Sequence, residues 1–168
     1  ESIKTRLKSP ESIAEKLLRR GLPVTPETIE RELHDVAGIR VICSFLDDIY
    51  MLADCITGQD DVTLIQTKDY IKNPKENGYR SLHLIIEIPI FLYGETRNMK
   101  VEIQLRTITM ESWADLEHKL RYKKNLSGDT QAQIARQLAD CAELCNVLDR
   151  KMLEVKSKVN GAALPADA

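Results

Sequence analysis

Residues 101–106 read Val-Glu-Ile-Gln-Leu-Arg, a strict alternation of apolar and polar side chains. A period of two is the signature of a strand, because successive side chains point to opposite faces. Val101, Ile103 and Leu105 fall on one face, and Glu102, Gln104 and Arg106 on the other. Two further segments repeat the pattern more weakly. Leu82, Leu84 and Ile86 oppose His83 and Glu87, and Ile39, Val41 and Cys43 oppose Arg40 and Ser44. Each strand thus offers a greasy face to a core and a second face carrying charge. One strand of this kind fits a solvated sheet surface. Recurrence of Glu, Gln, His and Arg on several strands fits a polar cleft as well.

Strand patterns alternate with helical ones along the chain. "SPESIAEKLLRRG" has Ser9 to cap, Pro10 in the first turn and Gly21 at the exit. "TPETIERELHD" repeats the design with Thr25 and Pro26. Strands are expected over 38–45, 61–70, 81–92 and 99–107, with the third ended or distorted at Pro89 and a turn at "ETRN". Helices are expected over 46–57 and 108–124, and a long final helix or helix pair over 128–159. This is an α/β chain whose hairpin-like third and fourth strands make the sheet mixed, flanked by helices. A length of 168 residues suits one domain. The expected organisation is a catalytic core over 1–125, a C-terminal helical extension over 126–160 suited to an oligomer contact, and a disordered tail over 161–168.

A net charge of −2 argues against a broad polyanion-binding surface, so any basic patch is local. No apolar run approaches the roughly 18–20 residues that cross a bilayer, and no signal peptide is visible. Cys43, Cys55, Cys141 and Cys145 form no CxxC pair. A cytoplasmic protein with free thiols is expected.

The basic patch sits in "KDYIKNPKENGYRSLH", residues 68–83. Lys68, Lys72, Lys75 and Arg80 suit phosphates, Tyr79 offers a flat face to a nucleobase, and Pro74 and Gly78 shape the turn. A solvent-exposed basic loop reads the same way. Asp35, before the first strand pattern, and Glu102 are carboxylates that suit one Mg²⁺, a hard cation that takes oxygen ligands and completes its shell with water and phosphates. Asp35 equally fits a turn carboxylate. Lys4, Arg6, Lys8, Lys16, Arg19 and Arg20 gather near the start, as a solvated helix face or a triphosphate grip. No Walker loop and no GxGxxG is present.

"DVAGIRV", "KDYIKNPKENGYRSLH" and "VEIQLRT" followed by "WADLEHKLRYK", with the lead-in "RLKSPESIAEKLLRRG", resemble the synthetase domain of the RelA/SpoT alarmone synthetases. Together they cover about residues 6–124. The chain looks like a stand-alone small synthetase of the RelP-type subgroup, without room for the hydrolase and regulatory domains of the long members. The resemblance implies a nucleotidyltransferase-like fold and transfer of the β,γ-pyrophosphate of ATP to the 3′-hydroxyl of GDP or GTP, in the stringent response of bacteria. It implies Asp35 as a Mg²⁺ ligand and Glu102 as ligand, general base or both. It implies Arg6, Lys8, Lys16, Arg19, Arg20 and Arg40 at ATP. Lys68, Lys75, Asn77, Tyr79, Arg80, His83, Gln104 and Glu117 are implied at the guanine nucleotide, with Tyr79 stacked on the base. A homotetramer is implied too, with the apolar stripe Ile134, Leu138, Cys141, Cys145, Leu148, Met152 and Val155 either in its interface or packed on its own domain. Thr109 and Glu111 stand where relatives often carry Ala and Asn or Asp, and Lys68 where some carry Arg. Alternative readings are the same chemistry on a tRNA 3′ end or an adenosine nucleotide, and a non-catalytic nucleotide- or RNA-binding module.

Overall fold

The computed structural model describes residues 2–121 and 128–162. The elements run β1 (Ser2–Leu7), α1 (Pro10–Arg19), α2 (Pro26–Glu32), β2 (Ala37–Cys43), α3 (Leu46–Thr57), β3 (Thr63–Asp69), β4 (Leu82–Leu92), β5 (Glu95–Thr107), α4 (Ile108–Arg121) and α5 (Gly128–Ala162). The five strands form one mixed sheet in the order β1-β2-β5-β4-β3. This is the α/β fold class expected from the alternating patterns. Among the described residues, no helix is long and apolar enough to cross a membrane.

The helix signals act as read. Ser9 accepts from the Ser12 amide at 3.3 Å and Thr25 from the Thr28 amide at 3.3 Å, with Pro10 and Pro26 starting their helices. Gly21 leaves α1 with φ of 68°.

Three expectations change. Residues 2–7 form β1, an exposed edge strand whose apolar Ile3 and Leu7 alternate with Lys4 and Arg6. The 3–4 hairpin turns at Tyr93-Gly94, where Gly94 supplies φ of 83°, and "ETRN" lies inside β5. Pairing of β4 with β5 also runs straight through Pro89, which faces Asn98. In an antiparallel ladder alternate residues turn their N–H away from a given neighbour, so one missing donor need not end the strand.

The chain divides into two compact units. One comprises residues 1–41, 51–68 and 82–105. Its core holds Leu17, Leu33, Ala53, Leu82, Leu84, Ile86, Val101, Ile103 and Leu105. The antiparallel register Leu82↔Leu105, Leu84↔Ile103 and Ile86↔Val101 puts the apolar halves of β4 and β5 on one face. Each such side chain contributes about 1.5–3 kcal/mol by leaving water. The same register puts His83 opposite Gln104, with Glu102 on that face too.

The second unit comprises residues 42–50, 69–81 and 106–168. Here α4 packs on α5, and the Trp113 indole N–H donates to the Leu138 carbonyl at 2.9 Å. α5 is one continuous helix and runs through Ala162, into the expected tail. The rest of that tail, and residues 122–124 of the expected fourth helix, lie outside the described residues. The apolar stripe of α5 is divided. Ile134, Leu138 and Cys145 are half-buried, while Leu148, Met152 and Val155 are exposed, as are Leu144 and Val159. Its most buried positions are Ala142, Asn146 and Asp149. Asp149 accepts from the Thr107 and Thr109 hydroxyls at 2.7 and 2.6 Å. Thr109 thus has a partner on α5.

Candidate active site

In the first unit, two clefts meet at two carboxylates. One, of about 510 Å³, is lined by Arg6, Lys8, Arg40 and Gln104 with Lys4 and Thr5. The other, of about 530 Å³, is lined by Lys16, Arg20, Arg31, His34, Gln66 and Lys68. The two linings share Asp35 and Glu102 and no other residue. Gly38 lies at the first cleft, where backbone oxygens of Arg6 and Glu102 stand 3.8 and 3.9 Å from the place of a side-chain Cβ.

Asp35 precedes β2 and is gripped from β1's exit and from α1. Its Oδ2 accepts from the Lys8 and Lys16 ammonium groups, each at 2.6 Å. Its Oδ1 is buried and meets no hydrogen-bond donor. Burial pushes the Asp35 carboxyl up, but the bonds from Lys16 and Lys8 outweigh it and hold the group below the usual aspartate range. Glu102, on the polar face of β5, has Oε1 3.2 Å from His83 Nδ1 and Oε2 3.0 Å from the Gln104 amide nitrogen. The His83 bond leads in holding Glu102 below the usual glutamate range, with Gln104 helping and burial and the negative charge of Asp35 opposing. Both groups are therefore ionised at neutral pH.

Sequence reading placed Lys16, Arg19 and Arg20 with Arg6, Lys8 and Arg40. The structure puts Lys16 and Arg20 in the cleft that holds Lys68, and Arg20 donates to the Glu32 carbonyl at 3.2 Å. Arg19 is exposed and lines neither cleft. Lys4, one of the cations gathered near the start, lines the first cleft beside Arg6 although the resemblance gives it no role at ATP. The alternation of Lys4 and Arg6 with Ile3, Thr5 and Leu7 was the available signal, since it puts both cations on one strand face.

The loop over 70–81, in the second unit, is hydrogen-bonded rather than loose. Asp69 Oδ1 accepts from the amides of Ile71 and Lys72 at 3.0 and 2.9 Å, and the Tyr50 hydroxyl donates to the same carboxylate. Tyr70 N donates to Ser81 O, Lys75 N to Tyr79 O and Gly78 N to Lys75 O, while Asn77 Oδ1 accepts from Tyr79 N. Gly78 has φ of 87°, and a Cβ there would stand 2.5 Å from Ala142 Cβ. Lys75 Nζ stands 4.8 and 4.9 Å from the ring centroids of Tyr70 and Tyr79, which meet edge-on at 6.0 Å. The Asn77 amide donates to Glu117 on α4 at 3.3 Å. Arg80 instead holds α5, donating to the Ala142 carbonyl at 3.3 Å and to Glu143 at 3.0 Å. Arg106, which sequence reading left out of the site, donates to the Tyr79 hydroxyl.

The chain matches the model of the region found in RelA/SpoT proteins over residues 5–127. It is 46% identical over 160 residues to the GTP pyrophosphokinase YwaC of Bacillus subtilis, covering 95% of this chain and 75% of that protein. To the GTP pyrophosphokinase YjbM of the same organism it is 36% identical over 162 residues, covering 96% and 74%. Its fold is similar to small alarmone synthetase 2 from Bacillus subtilis, with a TM-score of 0.83 at 44% identity over 94% of this chain and 82% of that one. It is equally similar to small alarmone synthetase 1 bound to its product pppGpp, with a TM-score of 0.83 at 34% identity, covering 95% and 80%. On sequence and fold together, the chain belongs to the RelA/SpoT family.

Proposed function

We propose that this protein transfers the β,γ-pyrophosphate of ATP to the 3′-hydroxyl of GDP or GTP, producing ppGpp or pppGpp and AMP. The observation that carries the proposal is the carboxylate pair Asp35 and Glu102 shared by two cation-lined clefts. The two GTP pyrophosphokinases and the pppGpp-bound synthetase among its relatives support the same reaction.

A divalent metal fits the pair. The buried Asp35 Oδ1 is an oxygen ligand lacking a hydrogen-bond donor, and Asp35 Oδ2 already draws two cationic groups. Among the described residues no group of three or more His, Cys, Asp and Glu side chains could hold a metal. One or two carboxylates completed by water and phosphate oxygens is the usual arrangement for Mg²⁺. Bound there, Mg²⁺ would neutralise phosphate charge and lower the pKa of an oxygen near it.

In the reaction the 3′-oxygen bonds to the β-phosphorus, the bond from that phosphorus to the bridging α-β oxygen breaks, and AMP leaves with that oxygen. Glu102, fixed by His83 and Gln104, is placed to accept the hydroxyl proton, to hold the metal, or to do both. Arg6, Lys8 and Arg40, with Lys16, Arg19 and Arg20, supply positive charge to ATP, since such transfers depend mainly on alignment and charge stabilisation. Tyr79 is the base platform for the guanine nucleotide. Lys68, Lys75, Asn77, Arg80, His83, Gln104 and Glu117 complete the acceptor side. Lys75 exchanges its place over the tyrosine rings for a phosphate, and Arg80 acts by tying the loop to α5. The catalytic core at 1–125 is followed by a C-terminal helical extension, whose exposed residues Leu144, Leu148, Met152, Val155 and Val159 belong to a homotetramer interface in a bacterial cytoplasmic enzyme.

The test is incubation with γ-labelled ATP, Mg²⁺ and each of GDP, GTP, ADP and tRNA. Label on GDP or GTP with equimolar AMP is expected. Label on tRNA or ADP alone, or no AMP at all, overturns the proposal.

A further inference from the structure

Arg106 lies almost wholly inside the second unit, with its side chain 5% exposed. Its guanidinium does two things there. Nη1 donates to Glu111 Oε2 at 2.7 Å, and Nη2 donates to the Tyr79 hydroxyl at 2.7 Å. The same guanidinium carbon stands 5.1 Å from the Tyr79 ring centroid. A buried ion pair is a poor investment for stability alone, since well-packed apolar groups often do as well. What it supplies is a fixed orientation. Arg presents several donors in a planar fork, so holding Glu111 with one nitrogen aims another at the phenol. β5 and α4 set the spacing, because Arg106 is the penultimate residue of the strand and Glu111 sits in the first turn of the helix.

We propose that Arg106, backed by Glu111, is a positioning residue that locks the Tyr79 ring for the purine base of the acceptor. This rests on the reading of Tyr79 as the base platform. Neither Arg106 nor Glu111 touches substrate in this account. A ring tethered at its hydroxyl has already lost the rotational freedom that base stacking would otherwise remove. The tether therefore lowers the cost of binding and leaves the chemical step alone. The departure at Glu111 acquires a role by the same route, as a full negative charge opposite the guanidinium.

Tyr79→Phe keeps the ring and removes only the tether. Its KM for GDP and GTP should rise roughly two- to tenfold, the range expected for one side chain losing its pre-set orientation. Its kcat at saturating substrate and KM for ATP should stay at wild-type values, while the thermal midpoint falls modestly because the buried Arg106 guanidinium loses an acceptor. Arg106→Lys, which retains a positive charge beside Glu111 but loses the fork, should show the same split. Tyr79→Ala removes the platform itself and separates the two ideas. If Tyr79→Ala raises the acceptor KM and Tyr79→Phe does not, the tether is overturned while the platform stands. If neither changes the acceptor KM, the platform reading falls and takes the tether with it. If Tyr79→Phe raises the KM for ATP as much as that for GDP and GTP, Arg106 is a structural residue and the proposal is overturned.

Discussion

Replacing Gly78 with alanine perturbs the loop over 70–81 at its contact with α5, and the structure separates the cost into two parts. The first is backbone strain, because φ is 87° and an L side chain there costs about 1–2 kcal/mol. The second is collision. The new Cβ would stand 2.5 Å from Ala142 Cβ, and Ala142 sits on a helix, so backbone must shift. Overpacking of this kind costs about 1–3 kcal/mol. The sum, about 2–5 kcal/mol, corresponds to a thermal midpoint lowered by roughly 5–15 °C for a chain of this size. Gly21→Ala and Gly94→Ala are the controls, with φ of 68° and 83° and nothing within 4 Å of the added carbon. They should show the strain alone, roughly 2–6 °C. Adding Ala142→Gly to Gly78→Ala removes the atom struck and leaves Ala139 Cα, at 3.4 Å, as the nearest neighbour. Despite about 1 kcal/mol for glycine in a helix, the double variant should show a favourable coupling of about 1–3 kcal/mol. Thermal unfolding followed by circular dichroism measures the wild type, the three glycine variants, Ala142→Gly and the double variant. A Gly78→Ala midpoint equal to those of the two controls, or zero coupling with Ala142→Gly, would refute the packing of α5 on this loop.

Lys156 on α5 donates to Asp47 at 2.9 Å and Asp48 at 2.7 Å and covers the Phe45 ring, so Lys156→Met should destabilise in a pH-dependent way. The Lys156 bond leads in holding Asp48 low, and the Asp48 bond leads in holding Lys156 high. A depressed carboxyl loses its contribution as pH falls through its folded pKa, and a raised ammonium loses its own as pH rises through its folded pKa. The stability gap should therefore be open from about pH 5 to 10 and close at both ends; a gap independent of pH in denaturant titrations contradicts this. Thr109→Ala should cost about 1–2 kcal/mol in chemical denaturation, since it deletes one of two hydroxyl donors to buried Asp149. No loss would show that Thr107 alone satisfies the carboxylate. If the proposed homotetramer forms through exposed Leu148 and Val155 of α5, Leu148→Glu combined with Val155→Glu should lower the mass seen by sedimentation relative to the wild type. A mass equal to that of the wild type would take these residues out of the proposed interface.

Much of this architecture is legible in the chain itself, for local reasons. Ser9-Pro10 and Thr25-Pro26 carry their own helix starts, and the alternation in 101–106 assigns Glu102 and Gln104 to a polar face without tertiary information. β1 escaped because its apolar residues are exposed, so the pattern looked like a charged lead-in. The turn at Tyr93-Gly94 escaped because "ETRN" is richer in polar residues, yet only Gly94 tolerates the positive φ that the turn needs. The site was legible as residue types but not as pairs. Spacing does not tell that Lys8 and Lys16 converge on one oxygen of Asp35, or that Arg80 turns to α5 while Arg106 reaches Tyr79. Those contacts join residues far apart in sequence, and only packing decides them. Alternation puts Arg106 on the polar face with Glu102, but nothing local tells that its guanidinium is buried against Glu111 and Tyr79.

The central claim is that Glu102, beside Asp35, takes part in pyrophosphate transfer. The most direct measurement is AMP release by Glu102→Gln with saturating ATP, Mg²⁺ and GDP, alongside nucleotide affinity from calorimetry. The account predicts a fall of about a hundredfold or more in kcat, on the scale of losing a positioned acid-base group, with ATP still bound. Turnover at the wild-type rate in a folded Glu102→Gln protein would contradict it.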